Sequence, residues 1–166
     1  TANTSAASDL DLAGMYESTL EKYQQAVKDD PSNYTNFERL GNVAFDWATS
    51  ISTGEMAPST HAAAELYTIA IDAYSKRLKL QASPDVSVDR AIATFYNGDE
   101  AGAIALMEDY TKDDPYFAPA WANLGKFYES EEDYSKAREC YEKALAANPD
   151  ASMQEFAQEG LDNLPK

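Results

Sequence analysis

Apolar residues recur along this chain at spacings of three and four, the mark of helices that bury one face. Leu12, Tyr16, Leu20, Tyr23 and Val27 trace one such stripe, and Phe37, Leu40, Ala44 and Trp47 a second. Leu66, Tyr67, Ala70, Ile71 and Tyr74 trace a third. Val88, Ala91, Ile92 and Phe95 give a fourth, and Ile104, Met107 and Tyr110 a fifth. Trp121, Leu124, Phe127 and Tyr128 form a sixth, Ala137, Cys140, Tyr141 and Ala144 a seventh, and Met153, Phe156 and Leu161 a terminal eighth. No stretch sustains a period of two, so strands are not expected. Pro31, Pro84, Pro115 and Pro149 fall between stripes. A proline ends the helix before it, because it lacks the backbone N–H and its ring clashes with the preceding turn. The expectation is an all-α chain.

The stripes repeat. Pro115 and Pro149 are 34 positions apart. Between them stand Trp121, Leu124, Gly125 and Tyr128, then Ala137, Tyr141 and Ala144. Gly125 and Ala137 suit a close approach of two antiparallel helices, and the larger side chains fill the space around it. In period and signature this resembles the tetratricopeptide repeat. The resemblance implies a helical-repeat solenoid of stacked antiparallel helix pairs, here with an irregular first repeat and a capping helix.

The acidic turn KDDP at 28–31 recurs at 112–115, a shift of 84 where two repeats would need 68. In the first copy Phe37, Leu40, Gly41 and Ala44 match the first helix, and Ala63, Tyr67 and Ala70 the second. That register puts a ten-residue insert at 50–59, an exposed Ser-, Gly- and Pro-rich turn, and seven further residues at the exit of the second helix. The middle copy is one residue short between its helices. Its apolar register puts Val88, Ala91, Ile92 and Phe95 in the core, since the other register would bury Arg90 without a partner. The expected layout is a flexible linker over 1–10 and a repeat domain over 11–166. The domain holds a lone helix (11–30), repeats at 34–83, 85–117 and 118–151, and a capping helix (152–164).

Charge narrows the function. Thirteen basic and 29 acidic residues give a net charge of −16. Such a chain repels phosphate backbones and anionic lipid, so neither nucleic acid nor membrane contact is expected. The small polar start, TANTSAASD, reads either as a boundary or as the spacer after a removed signal or anchor. The matching locations are the cytoplasm, or the soluble part of a secreted or membrane-anchored protein. Chemistry is sparse. Cys140 is the only cysteine and lies in a core stripe, and His61 is the only histidine, at a helix start. The pairs Asp29–Asp30 and Asp113–Asp114 read as turn residues, and no glycine-rich phosphate loop is present. Neither catalysis nor a cofactor or metal is expected. Lys76, Arg77 and Lys79 complement the end of a long helix, with docking of an acidic segment as the alternative.

The resemblance implies a protein–protein interaction scaffold that binds a partner segment along its first helices. Carried over by position, the partner-binding residues are Asn42, Phe45 and Asp46 in one repeat. The next contributes Val86, Asp89, Ala93 and Tyr96, and the last Ala122, Lys126 and Glu129. Lys126 is the one basic member, which disfavours an acidic terminal carboxylate. A neutral or basic protein or peptide partner is expected, and a homo-oligomer is the alternative.

Overall fold

The computed structural model describes residues 2–56 and 60–165, with side chains from residue 12 onward. Eight helices run through the described residues, with no strand among them. In chain order they are α1 (Ala2–Asp29), α2 (Tyr34–Ser52), α3 (Ala63–Leu80), α4 (Pro84–Tyr96), α5 (Glu100–Asp113), α6 (Ala118–Ser130), α7 (Tyr134–Ala146) and α8 (Ala151–Asn163). The all-α repeat fold read from the stripes is the fold found.

Side chains close the helix starts. Asp99, Asp133 and Asp150 each accept a backbone N–H three residues on, and Asn33 accepts that of Thr35. Each acceptor satisfies an N–H that has no partner within its helix. The acidic turns behave alike: Asp30 accepts the N–H of Ser32, and Asp114 that of Tyr116, both at 3.2 Å. Residues 2–10, expected as a linker, instead belong to α1. Alanine is the strongest helix former, and neither glycine nor proline interrupts that stretch before Gly14.

The chain divides into two compact units, Thr1–Val86 and Ser87–Lys166. The core of the second gathers Val88 and Ala91 of α4, Met107 of α5, Leu124 and Phe127 of α6, and Tyr141 of α7, with Ile92 and Phe95 packed against it. The apolar register of the middle copy is the one adopted. At the centre the Tyr141 ring lies flat against two glycines. A Cβ at Gly125 would come within 2.8 Å of the ring, and one at Gly160 of α8 would overlap it too.

In the first unit the same closure is made by Gly41 and Tyr74, whose ring would clash with any Cβ on Gly41. This corrects the expected register of the second helix. Tyr74, not Tyr67, stands where Tyr141 does, so Ala70 matches Ala137. Gly41 and Tyr74 are 33 positions apart where Gly125 and Tyr141 are 16, so all 17 extra residues lie between them. They lengthen both helices: α2 has 19 residues and α3 18, against 13 each in α6 and α7. Apolar spacing alone could not separate the two registers, because Tyr67 and Tyr74 are one heptad apart on the same face.

The lengthened hairpin carries its own small core. Trp47 is fully buried, with Tyr16 of α1 stacked on it at 5.7 Å and His61 edge-on at 5.2 Å. Of the turn expected at 50–59, residues 50–52 continue α2, Met56 is buried, and 57–59 lie outside the described residues.

Candidate functional site

In the first unit the candidate partner residues on α2 are open only in part. Asn42 is exposed, and its side-chain oxygen accepts a hydrogen bond from Tyr74 Oη at 2.9 Å. Phe45 is half-buried, edge-on to the Tyr67 ring with centroids 5.8 Å apart. The lengthening of α3 thus supplies a ring that occupies one side of Phe45. Asp46 is exposed, yet partial desolvation raises its carboxyl above the ordinary range. Val86 is buried and offers nothing to a ligand.

In the second unit Asp89 is half-buried and Tyr96 is 59% exposed, its ring edge-on to Phe95. Ala93 and Ala122 are wholly buried, so the expected apolar floor cannot be touched. Ala122 belongs to the core cluster of its unit. The error at Val86 and Ala93 has a physical cause. Helix α4 is buried on more than one side, with Val88 and Ala91 on one stripe and Val86 and Ala93 on another. Small side chains let neighbours approach closely, and a single-faced pattern does not register that.

Lys126 and Glu129 do come together. Lys126 Nζ lies 3.2 Å from Glu129 Oε1, and Glu129 Oε2 accepts a hydrogen bond from Tyr141 Oη at 2.8 Å. Burial, and then the Glu129 carboxylate, push the Tyr141 phenol well above its ordinary range, so it remains a donor. These two residues rim a cleft of about 180 Å³ that Phe156, Glu159, Gly160 and Asn163 of α8 complete. Reading α8 only as a cap missed these four residues. The available signal was Gly160 four positions after Phe156, a small residue on an otherwise apolar stripe.

The other candidate chemistry disperses. Burial pushes the Cys140 thiol up to about 12, so at neutral pH it is a protonated core residue rather than a nucleophile. His61 Nε2 lies 3.3 Å from Glu17 of α1, and Nδ1 3.1 Å from Glu65 of α3. Burial alone would lower this imidazole, but the two carboxylates outweigh it and raise it. The expected basic cluster is not one patch. Arg77 is buried with its Nε 2.9 Å from Glu38 and its guanidinium over the Tyr34 ring, while Lys76 pairs with Asp72. Among the described residues no group of three or more side chains is placed to hold a metal ion, and no helix is long and apolar enough to cross a membrane.

The tetratricopeptide repeat family model matches residues 118–151. Among solved structures, the fold is similar to that of MamA, with 20% identity over 91% of this chain and 87% of that one and a TM-score of 0.62. It is similar to TTC0263, a thermophilic tetratricopeptide-repeat protein of Thermus thermophilus, with 18% identity over 94% and 77% of the two chains and a TM-score of 0.69. The Sgt2 tetratricopeptide-repeat domain from Aspergillus fumigatus matches at 24% identity over 72% and 76%, with a TM-score of 0.51. No curated protein matches by sequence.

Proposed function

We propose that this chain, whose residues 118–151 match the tetratricopeptide repeat family model and whose fold is similar to that of tetratricopeptide-repeat proteins, is a non-catalytic scaffold that docks a neutral or basic segment of another protein. The observation that carries this reading is the cleft between α6, α7 and α8. Its apolar base is the Tyr141 ring and the half-exposed Phe156. Its rim holds two carboxylates, Glu129 and Glu159, against one ammonium, Lys126. An apolar anchor that carries a positive neighbour suits that rim, whereas a carboxylate-bearing segment meets net repulsion. Tyr96 and Asp89 in the second unit, and Asn42, Phe45 and Asp46 in the first, are the further docking residues of this reading.

The test compares capture of partner protein from cell extract by wild type and by Tyr96→Ala/Phe156→Ala, after thermal unfolding shows the variant to be folded. A partner held by wild type, lost from the variant and released by salt supports the reading. Equal capture by both overturns it.

A further inference from the structure

The clefts of the second unit differ in what they leave free. Beside Trp121 a cleft of about 240 Å³ is walled by lysines that are already engaged. Lys143 Nζ stands 4.3 Å over the Trp121 ring and 2.6 Å from Glu139. Lys136 Nζ stands 4.6 Å over the Tyr128 ring and 3.3 Å from Asp133, and Lys112 pairs with Asp109 at 3.1 Å. That cleft offers neither a bare ring nor an unpaired lysine. The cleft of about 180 Å³ between α6, α7 and α8 offers both an open ring and a free charge. Phe156 keeps 36% of its surface exposed, and its ring, edge-on to Tyr141, has no cation over it among the described residues. The pairing of Lys126 with Glu129 cancels one charge of each sign. What remains on the rim is Glu159, exposed and in no ion pair among the described residues.

The first unit carries a segment of matching chemistry at the end of α3. Leu80, the last residue of that helix, is 45% exposed. Lys79 beside it is exposed and in no ion pair among the described residues. Of the exposed large apolar side chains described, Leu80 alone adjoins a basic residue in sequence. The repeat does not demand this pair. The shift of 67 that takes Tyr74 to Tyr141 takes Lys79 and Leu80 to Ala146 and Ala147, and α7 packs its tyrosine on a glycine with only alanines there.

Resting on the docking reading of this cleft, we propose that its partner segment is Lys79–Leu80 of a second copy of the chain. Leu80 enters against Phe156, and the Lys79 ammonium meets the Glu159 carboxylate at the rim. One apolar anchor with one charged neighbour fits a cleft with room for a single side chain. Knob and cleft lie in different units, so the contact is heterologous: each copy offers its knob to one neighbour and its cleft to another. At physiological ionic strength charges farther apart than ~8 Å are largely screened. The net charge of −16 on each copy then acts weakly at a distance, while Lys79 and Glu159 attract at contact.

The test is sedimentation velocity of the whole chain in physiological salt, from about 10 µM to 1 mM, with association expected in the upper part of that range for so small a contact. Lys79→Glu and Glu159→Lys each put like charges at the contact and should weaken association about fivefold or more. Both positions are exposed, so helix content and melting should stay close to those of wild type. An equimolar mixture of the two variants pairs opposite charges again at every contact between unlike copies, and should associate as wild type does. A wild-type chain that stays monomeric throughout, variants that associate unchanged, or a mixture that fails to recover overturns the inference. Lys79→Glu leaves the cleft whole, so capture of a different protein from extract by that variant decides the docking reading separately.

Discussion

The helices α1–α2–α3 and α5–α6–α7 solve the same packing problem with different chemistry. In both, a tyrosine from the second helix lies on a glycine of the first, and its hydroxyl donates back to that first helix. The acceptor is the Asn42 amide in one unit and the Glu129 carboxylate in the other. Three residues beyond the tyrosine, the second unit places Ala144, wholly buried, whereas the first places Arg77, buried and paired with Glu38. The first unit also keeps its large indole inside, as Trp47, while the second leaves Trp121 half-buried at the wall of a cleft. The shared glycine–tyrosine contact defines the repeat. The variable positions decide whether a unit spends its aromatic surface on its own core or presents it.

The largest expected effect separates the two tryptophans. Trp47→Ala should lower stability by about 3–5 kcal/mol, the loss typical of a large buried aromatic, and Trp121→Ala by less, about 2–3 kcal/mol, since part of its surface is already wet. Equal losses in chemical denaturation would break the contrast. Next come the glycines. Gly41→Ala and Gly125→Ala should each cost about 1–3 kcal/mol, because a Cβ would press on a ring packed from the other side. Gly14→Ala, with no atom near its Cβ position, should instead gain up to about 1 kcal/mol from helix propensity. Comparable melting temperatures for Gly14→Ala and Gly125→Ala would show that the tyrosine contact is loose.

A smaller, pH-dependent difference belongs to the first unit alone, which holds the only histidine. Glu17 of α1 and Glu65 of α3 each contact a nitrogen of His61, whose ring packs edge-on to Trp47, and they hold its pKa above the ordinary value. A raised folded pKa means that the stabilisation is complete below the unfolded pKa and fades as pH rises through the folded one. Hydrogen exchange in α1, corrected for intrinsic rate, should accelerate between pH 6 and 8, and His61→Gln should abolish the dependence. A pH-independent α1 would show that stacking of Tyr16 on Trp47 suffices. The smallest effect is at Asp72–Lys76, an exposed pair one helical turn apart. Asp72→Asn should cost about 0.3–0.5 kcal/mol and lose even that in high salt.

Much of this fold was legible in sequence, because a 3.6-residue period survives wherever a helix has one dry face. The close approach at Gly125 was legible in the repeat signature, with Tyr141 among the side chains expected around it, but not that the Tyr141 ring itself would lie against the glycine. The register of α3 was not legible, since Tyr67 and Tyr74 satisfy the same stripe and only the ring over Gly41 distinguishes them. Site residues were harder to read. Lys126 and Glu129 stand together on an open cleft, but Val86, Ala93 and Ala122 are buried. A small apolar residue on a first helix looks the same in sequence whether it floors a groove or admits a neighbouring helix. The lysines over Trp121 and Tyr128 gave no signal either, because the antiparallel pairing of α7 with α6 brings Lys136 and Lys143 to rings distant in sequence.

The ring of Tyr141, held between Gly125 and Gly160, also bears on how the protein responds to alkali. Reagents that attack phenolate should find Tyr116 first and Tyr141 last among the 11 tyrosines, since one is almost bare and the other enclosed. Its ionisation is opposed by burial and by the Glu129 carboxylate at its oxygen. Above pH ~10, the unfolded chain can release that proton while the folded one cannot, so each further step toward alkali favours unfolding. The late part of a spectrophotometric phenol titration would then be a record of the second unit opening, with its sharpness set by cooperativity rather than by acid–base equilibrium.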